Sequence, residues 1–149
     1  MIHQRVYLDT SVISALLDVR TPERQAMTVS AWKRLSEYDV YISDLVLEEL
    51  NFASDPLRER LLSYTVGLHS LKTTDEAILL AQKYVWQGIF PDAYLDDALH
   101  VAIASVNGIP YLLSWNYKHL VKVKTRRMVA LTNTLHNYPT VEIISPPEL

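Results

Sequence analysis

Short apolar stretches that stop at a helix-capping residue recur along this chain, and that recurrence limits the folds open to it. Arg5-Val6-Tyr7-Leu8 is β-branched and aromatic and runs into Asp9-Thr10-Ser11, whose hydroxyls can accept from the N–H groups of a first helical turn. Asp39–Ser43 is a second such stretch, and a helix from Asp44 through Asn51 follows it. Leu68–Leu71 is a third, followed by Thr73-Thr74-Asp75-Glu76, a capping-box pattern opening a helix to Gly88. Tyr94–Asn107 reads as a nearly all-apolar helix closed by Gly108, Ile109–Ser114 as a strand, and Val141–Ile144 as a final strand. Two further helices open at Thr21-Pro22-Glu23, with Thr as cap and Pro in the first turn, and at Asp55-Pro56. The first of these should turn Met27, Ala31 and Leu35 inward and stop near Tyr38. Strands alternating with helices predict an α/β fold, a parallel sheet covered on both faces.

At 149 residues the chain suits one domain spanning 1–149, and it contains no repeat, low-complexity tract or linker. Apolar residues make up 49% and charged residues 21%, as in an ordinary globular protein. Having no cysteine excludes disulfides, thiolate metal sites and thiol nucleophiles. Gly67, Gly88 and Gly108 are the only glycines, so neither a P-loop nor a dinucleotide-binding glycine motif can be written. No apolar run approaches a bilayer-spanning length, and the N-terminus Met1–Asp9 lacks the basic-then-apolar layout of a signal peptide. The expectation is a cytoplasmic protein without a membrane partner. The net charge of −3 argues against broad nucleic-acid coating, although Lys118, Lys122, Lys124, Arg126 and Arg127 concentrate five of the 14 basic residues in ten positions.

In an open parallel sheet, ligands bind beyond the carboxyl ends of the strands, which turns the acidic residues into a test. Asp9 ends the first strand, Glu48 and Glu49 follow the second within about two helical turns, Asp96 and Asp97 lie near the start of the apolar helix, and Asn116 follows the strand ending at Leu113. Taken singly, Asp9 can be a helix cap and Asp97 a first-turn acid favoured by the helix dipole. Glu48 and Glu49 point about 100° apart, so only one can face a site. As a set, three carboxylates brought together repel unless a cation neutralises them, and hard oxygen ligands suit Mg²⁺ or Mn²⁺ better than zinc.

With these residues in place, the sequence resembles a PIN domain, the nuclease fold whose bacterial members include VapC-type toxins. The matching segments are Val6-Tyr7-Leu8-Asp9-Thr10-Ser11-Val12, Ile42-Ser43-Asp44-Leu45-Val46-Leu47-Glu48-Glu49-Leu50, Asp97-Ala98-Leu99-His100-Val101-Ala102-Ile103-Ala104 and Leu112-Leu113-Ser114-Trp115-Asn116-Tyr117-Lys118-His119-Leu120. The resemblance implies a three-layer α/β/α sandwich with four or five parallel strands. It places the family's acids on Asp9, Glu49 and Asp97, and puts Asn116 where the fourth acid usually stands. It implies Mg²⁺- or Mn²⁺-dependent hydrolysis of RNA that leaves a 3′-hydroxyl and a 5′-phosphate. Asp9, Glu49 and Asp97 would hold the metal and Asn116 would position water or phosphate. An antitoxin partner and a homodimer belong to the same expectation. Asn in the fourth position carries no charge, which keeps open a non-catalytic, RNA-binding PIN domain.

Thr10 and Ser114, beside the acids, and Lys118 and Lys122, in the basic run, are the candidate substrate contacts, with Trp115, Tyr117 and His119 interleaved for stacking. The same run also reads as a solvated helix face. His100, three residues after Asp97, can orient a carboxylate, touch a phosphate or simply fill the core. The Pro22 helix, with Ala26, Val29, Trp32 and Leu35, is either core or an exposed apolar strip. Other classes fare worse. A HAD-type phosphatase would want an Asp where Ser11 stands, a receiver domain's acidic pair and acceptor Asp cannot be placed, and no GxSxG elbow supports a serine hydrolase.

Overall fold

The computed structural model describes residues 2–149; Met1, the first residue of the 1–149 domain reading and of the N-terminal pattern above, lies outside them. Five strands, β1 (Gln4–Leu8), β2 (Tyr38–Ser43), β3 (His69–Leu71), β4 (Tyr111–Leu113) and β5 (Glu142–Ile144), form one parallel sheet in the order β3-β2-β1-β4-β5. Strand β1 is central. Val6 is in register with Val40 on one side and Tyr111 on the other, and Val6, Tyr7 and Leu8 are wholly buried. A parallel strand buried on both faces has no polar alternation, as Val6-Tyr7-Leu8 displays.

The helices are α1 (Thr10–Ala15), α2 (Pro22–Arg34), α3 (Asp44–Leu50), α4 (Leu57–Ser63), α5 (Asp75–Trp86), α6 (Leu95–Val106) and α7 (Val123–Leu135). Chain order runs outward from β1 through β2 to β3, then returns across the sheet to β4 and β5. Right-handed crossovers therefore put α1–α4 on one face and α5–α7 on the other, giving three layers. The reversal falls between β1 and β4, the place where an α/β sheet opens a crevice at its carboxyl end. Arg5 locks the opposite end. Its guanidinium donates to the carbonyls of Asn107 (3.1 Å) and Gly108 (2.6 Å), which terminate α6. Gly108 has φ +65°, a backbone region that favours glycine at a helix end.

Several local expectations need correction. Asp9, not a hydroxyl, caps α1: its carboxylate accepts from Ser11 N–H at 3.0 Å, and Thr10 and Ser11 lie inside the helix. Thr21 precedes Pro22 but makes no side-chain cap hydrogen bond. At α5, Thr74 caps by accepting from Ala77 N–H at 3.2 Å. Thr73 instead donates to Asp44, joining the end of β2 to the turn after β3. Met27 is 41% exposed, whereas Thr28 is buried beside Ala31 and Leu35. Ala31 and Leu35 face inward as expected, and only Met27 is displaced, its place taken by Thr28, which satisfies its hydroxyl by donating to the Arg24 carbonyl at 2.6 Å. Helix α7 was expected only as a basic face. It buries Thr125, Val129, Thr132 and Asn133, mostly polar residues that leave little apolar periodicity to read.

Candidate active site

The carboxyl end of β1 delivers Asp9 into the crevice with only 4% of its surface exposed. Ser11 Oγ donates to Oδ1 and Ser114 Oγ, at the end of β4, donates to Oδ2, both at 2.5 Å. The two serines are themselves fixed by the backbone: Trp115 N–H donates to Ser11 Oγ and Asn116 N–H to Ser114 Oγ, each at 2.9 Å. Burial pushes the Asp9 carboxyl above its ordinary value. His100 and the two hydroxyls offset this in part, while the charge of Asp97 adds to it.

Glu49 approaches from α3 and is half-buried, while the adjacent Glu48 faces solvent. Thr10 Oγ1 donates to Glu49 Oε1 at 2.7 Å, and His100 Nε2 meets the same oxygen at 2.6 Å. The other ring nitrogen of His100, Nδ1, lies 2.7 Å from the Tyr7 hydroxyl, which in turn is 2.8 Å from Ser43 Oγ. Ser43 caps α3 by accepting from Val46 N–H. A buried relay thus runs from the α3 cap through Tyr7 and His100 to Glu49, crossing β1, β2 and α6. When the ring is protonated, both nitrogens donate. Burial disfavours a charged His100, but the Glu49 hydrogen bond and the charges of Asp9, Glu49 and Asp97 outweigh it and raise its pKa. Burial likewise opposes ionisation of Glu49, and His100 and Thr10 overcome it and hold its pKa below the usual value. Of the readings open to His100, the structure selects the one in which it orients a carboxylate.

Asp97 is half-buried in the first turn of α6, and Asp96 beside it is exposed. Burial raises the pKa of Asp97; His100, His119 and Asn116 pull it down, and the charge of Glu49 pushes it up. Asn116 Oδ1 accepts from His119 N–H at 2.9 Å, shaping the loop after β4. Asp9, Thr10, Glu49, Asp97, Ser114 and Asn116 therefore converge at the carboxyl end of the sheet. Lys118 and Lys122 do not join them. They are exposed and line a neighbouring cavity of about 440 Å³ with His119 and Lys124.

Among the described residues, no three His, Asp or Glu side chains stand together in metal-holding geometry. The chemistry of the donors nevertheless fits a hard divalent cation. Three carboxylates face one histidine, and two of them are pushed toward protonation by burial, with a neighbouring carboxylate's charge adding to the push. Both hydrogen bonds to Glu49 fall on Oε1, so Oε2 is the oxygen left for another ligand. The Tyr7 relay was missed at the sequence level. Its only signal was a tyrosine inside an otherwise aliphatic buried strand.

A family model for the PIN domain matches residues 6–123. The chain belongs to the PIN domain family. Its architecture is shared by the VapBC2 complex of Rickettsia felis, solved bound to a DNA fragment from their promoter, at TM-score 0.63 and 13% identity over 95% of this chain and 98% of that one. VapBC-1 of nontypeable Haemophilus influenzae superposes at TM-score 0.60 and 13% identity, covering 96% of this PIN domain and 98% of that chain. VapC20 of Mycobacterium tuberculosis, a toxin that cleaves the sarcin–ricin loop, superposes at 0.56 and 17% identity over 72% and 86%. No curated protein matches in sequence. No helix among the described residues is long and apolar enough to cross a membrane.

Proposed function

We propose that this PIN domain, taken as one unit over residues 1–149, is a Mg²⁺- or Mn²⁺-dependent endoribonuclease and the toxin of a VapBC-like toxin–antitoxin module acting in the cytoplasm. The observation that carries the reading is the convergence of Asp9, Glu49 and Asp97, with the ionisation of two of them disfavoured, at the switch point of the sheet. Asp9, Glu49 and Asp97 are the residues that would hold the cation. A bound divalent cation supplies positive charge to the phosphate oxygens and acidifies water at neutral pH. Ser11 and Ser114 keep the Asp9 carboxylate in one orientation, and the His100–Tyr7–Ser43 relay does the same for Glu49. Glu49, held ionised, orients the attacking water. Asn116 positions that water or the phosphate, and Thr10 contacts the substrate at the centre; Ser114, expected as a second contact, is wholly buried with its hydroxyl donated to Asp9 and serves only to hold that carboxylate. Lys118 and Lys122 bind phosphates farther along the strand, where their exposure keeps them available. An antitoxin partner, supported by the VapBC complexes among its structural neighbours, completes the reading, and a homodimer is carried over from the family resemblance alone.

Asn116 motivates a second reading, a PIN domain that binds RNA without cutting it, because its Oδ1 is engaged by His119 N–H and it adds no charge to the acids. Cleavage of a mixed RNA pool with Mg²⁺ or Mn²⁺ against an EDTA control separates the two. The nuclease reading expects metal-dependent cutting by the wild type and a loss of at least about 100-fold in Asp9→Asn. Asn116→Asp then reports whether the missing charge limits the rate. RNA binding without any cleavage selects the second reading.

A further inference from the structure

A cavity of about 520 Å³ opens between the first turns of α2 and the loop after β4, lined among others by Arg24, Met27, Trp115 and Tyr117. We propose that it is a nucleobase subsite, seating the base of a single-stranded RNA nucleotide that flanks the bond to be cut. The inference rests on the nuclease reading above and adds to it a residue set that selects where the strand is held. Trp115 is only 6% exposed and is fixed by its indole N–H, which donates to Thr28 Oγ1 at 2.9 Å. The Arg24 guanidinium carbon sits 5.0 Å from the centre of the Trp115 ring, so its plane is held over an aromatic face. Tyr117 packs edge-on against the same indole, rings 6.1 Å apart at 65°, and is 48% exposed. An aromatic ring and an arginine, each with Trp115 behind it, are the platforms on which unstacked RNA bases rest. Glu23 and Arg24 at the rim offer an acceptor and donors to the polar edge of a base.

Continuity with the acids makes a nucleobase the fitting occupant. The backbone N–H of Trp115 donates to Ser11 Oγ, the hydroxyl that holds Asp9, and Asn116 lies between the two aromatic residues. The loop that carries Asn116 to the acids thus also carries both aromatic walls of the cavity. An apolar peptide segment would meet the same aromatics but offers no planar ring to stack on Tyr117 and Arg24.

The test measures binding in EDTA, where no cleavage intervenes, of short labelled homopolymeric RNAs and of an equally long oligomer of abasic ribose phosphates. Wild type, Tyr117→Ala, Tyr117→Phe and Arg24→Gln are compared. The expected result is about 10-fold weaker binding of base-bearing RNA by Tyr117→Ala, near-normal binding by Tyr117→Phe, and equal binding of the abasic oligomer by all three. Arg24→Gln should weaken base-bearing RNA more than abasic RNA. Unchanged RNA binding by Tyr117→Ala, or an equal loss on the abasic oligomer, overturns the subsite. If that happens while wild type still cleaves RNA with Mg²⁺, the nuclease reading stands and only this inference fails. If wild type binds no RNA in EDTA, the subsite fails, and cleavage with Mg²⁺ decides the nuclease reading separately. A partner protein whose binding depends on Tyr117 while RNA binding does not also overturns it, in favour of a peptide pocket.

Discussion

Two polar networks are buried in this molecule, one on each side of α6, and they differ in the property that separates a working site from a structural one. On the face covered by α5–α7, Tyr84, Ser105 and Asn133 close on one another. The Tyr84 hydroxyl donates to Asn133 Oδ1, Asn133 Nδ2 donates to Ser105 Oγ at 2.9 Å, and Ser105 donates to the Val101 carbonyl at 2.8 Å. All three residues are neutral, and each finds its partner within the network or on nearby backbone. At the carboxyl end of the sheet, Asp9, Glu49, Asp97 and His100 are equally well connected but carry net negative charge, and their protonation equilibria are all displaced. Burying polar groups is common, and hydrogen bonding makes it affordable. Burying an unbalanced charge is a standing cost that points to a missing ligand.

The neutral network should show the larger effect on stability. Asn133→Ala removes the partner of Tyr84 and one of the donors to Ser105, and it breaks the link that ties α7 to α5 and α6. Urea unfolding should register a loss of about 3 kcal/mol, the cost of leaving buried polar groups unpaired. RNA cleavage by the protein that remains folded should stay near the wild-type rate. A change of less than about 1 kcal/mol would mean that water or Ser105 replaces the amide, and that the network does not hold α7 in place.

The contrast also explains what could be read from the chain alone. Strand β1 with Asp9 was legible because an apolar run there meets a capping residue, and the α3 glutamates, Asp97 and Asn116 because each lies a few residues from the apolar run of β2, α6 or β4. Such positions are local in sequence, and the sheet gathers them without further information. Family resemblance chose Glu49 over Glu48, and Glu49 is the one that meets Thr10 and His100. Helix α7 was not legible as an element because Thr125, Thr132 and Asn133 are the residues it buries, and their partners lie far away in the chain. Met27 was misplaced for the same reason: Thr28 is the inward residue, and its acceptance from the Trp115 indole cannot be inferred from spacing. The His100–Tyr7–Ser43 relay spans residues 43 to 100 and becomes visible only in three dimensions.

In the charged network, removing charge should move stability the other way. Asp9 has a folded-state pKa above its unfolded value, so the ionised form is penalised by folding at neutral pH and the penalty is relieved as pH falls through the folded value. Asp9→Asn keeps the acceptor for Ser11 N–H, the remaining lone pair of Ser114 Oγ can take the new amide N–H, and the Ser114 hydroxyl, which in the wild type donates to Asp9, turns to Ser11 Oγ 3.4 Å away. The variant should therefore be more stable than wild type by about 1 kcal/mol at pH 7 without added metal, while losing cleavage. Added Mg²⁺ or Mn²⁺ should raise the melting temperature of wild type and leave the variant nearly unmoved. A variant less stable than wild type would show that the carboxylate is needed for folding and would remove the argument for a missing cation.

The smallest effect expected is the one that depends on pH. Glu49, with a lowered folded pKa, adds stability above its unfolded value that disappears as pH falls through the folded one. His100, with a raised folded pKa, adds stability that is complete below its unfolded value and disappears as pH rises through the folded one. Both contributions coexist between about pH 4.3 and 6.5, the ordinary values of the two groups. Glu49→Gln should therefore cost most in that window, about 1 kcal/mol, and progressively less toward neutral and alkaline pH, where a neutral His100 still finds a hydrogen bond. The comparison sharpens when Asn133→Ala is measured over the same range, because no member of its network titrates there and its loss should stay flat. A pH-independent Glu49→Gln loss would make the His100–Glu49 contact an ordinary hydrogen bond, of the same kind as those at Asn133, and not a charge-coupled pair.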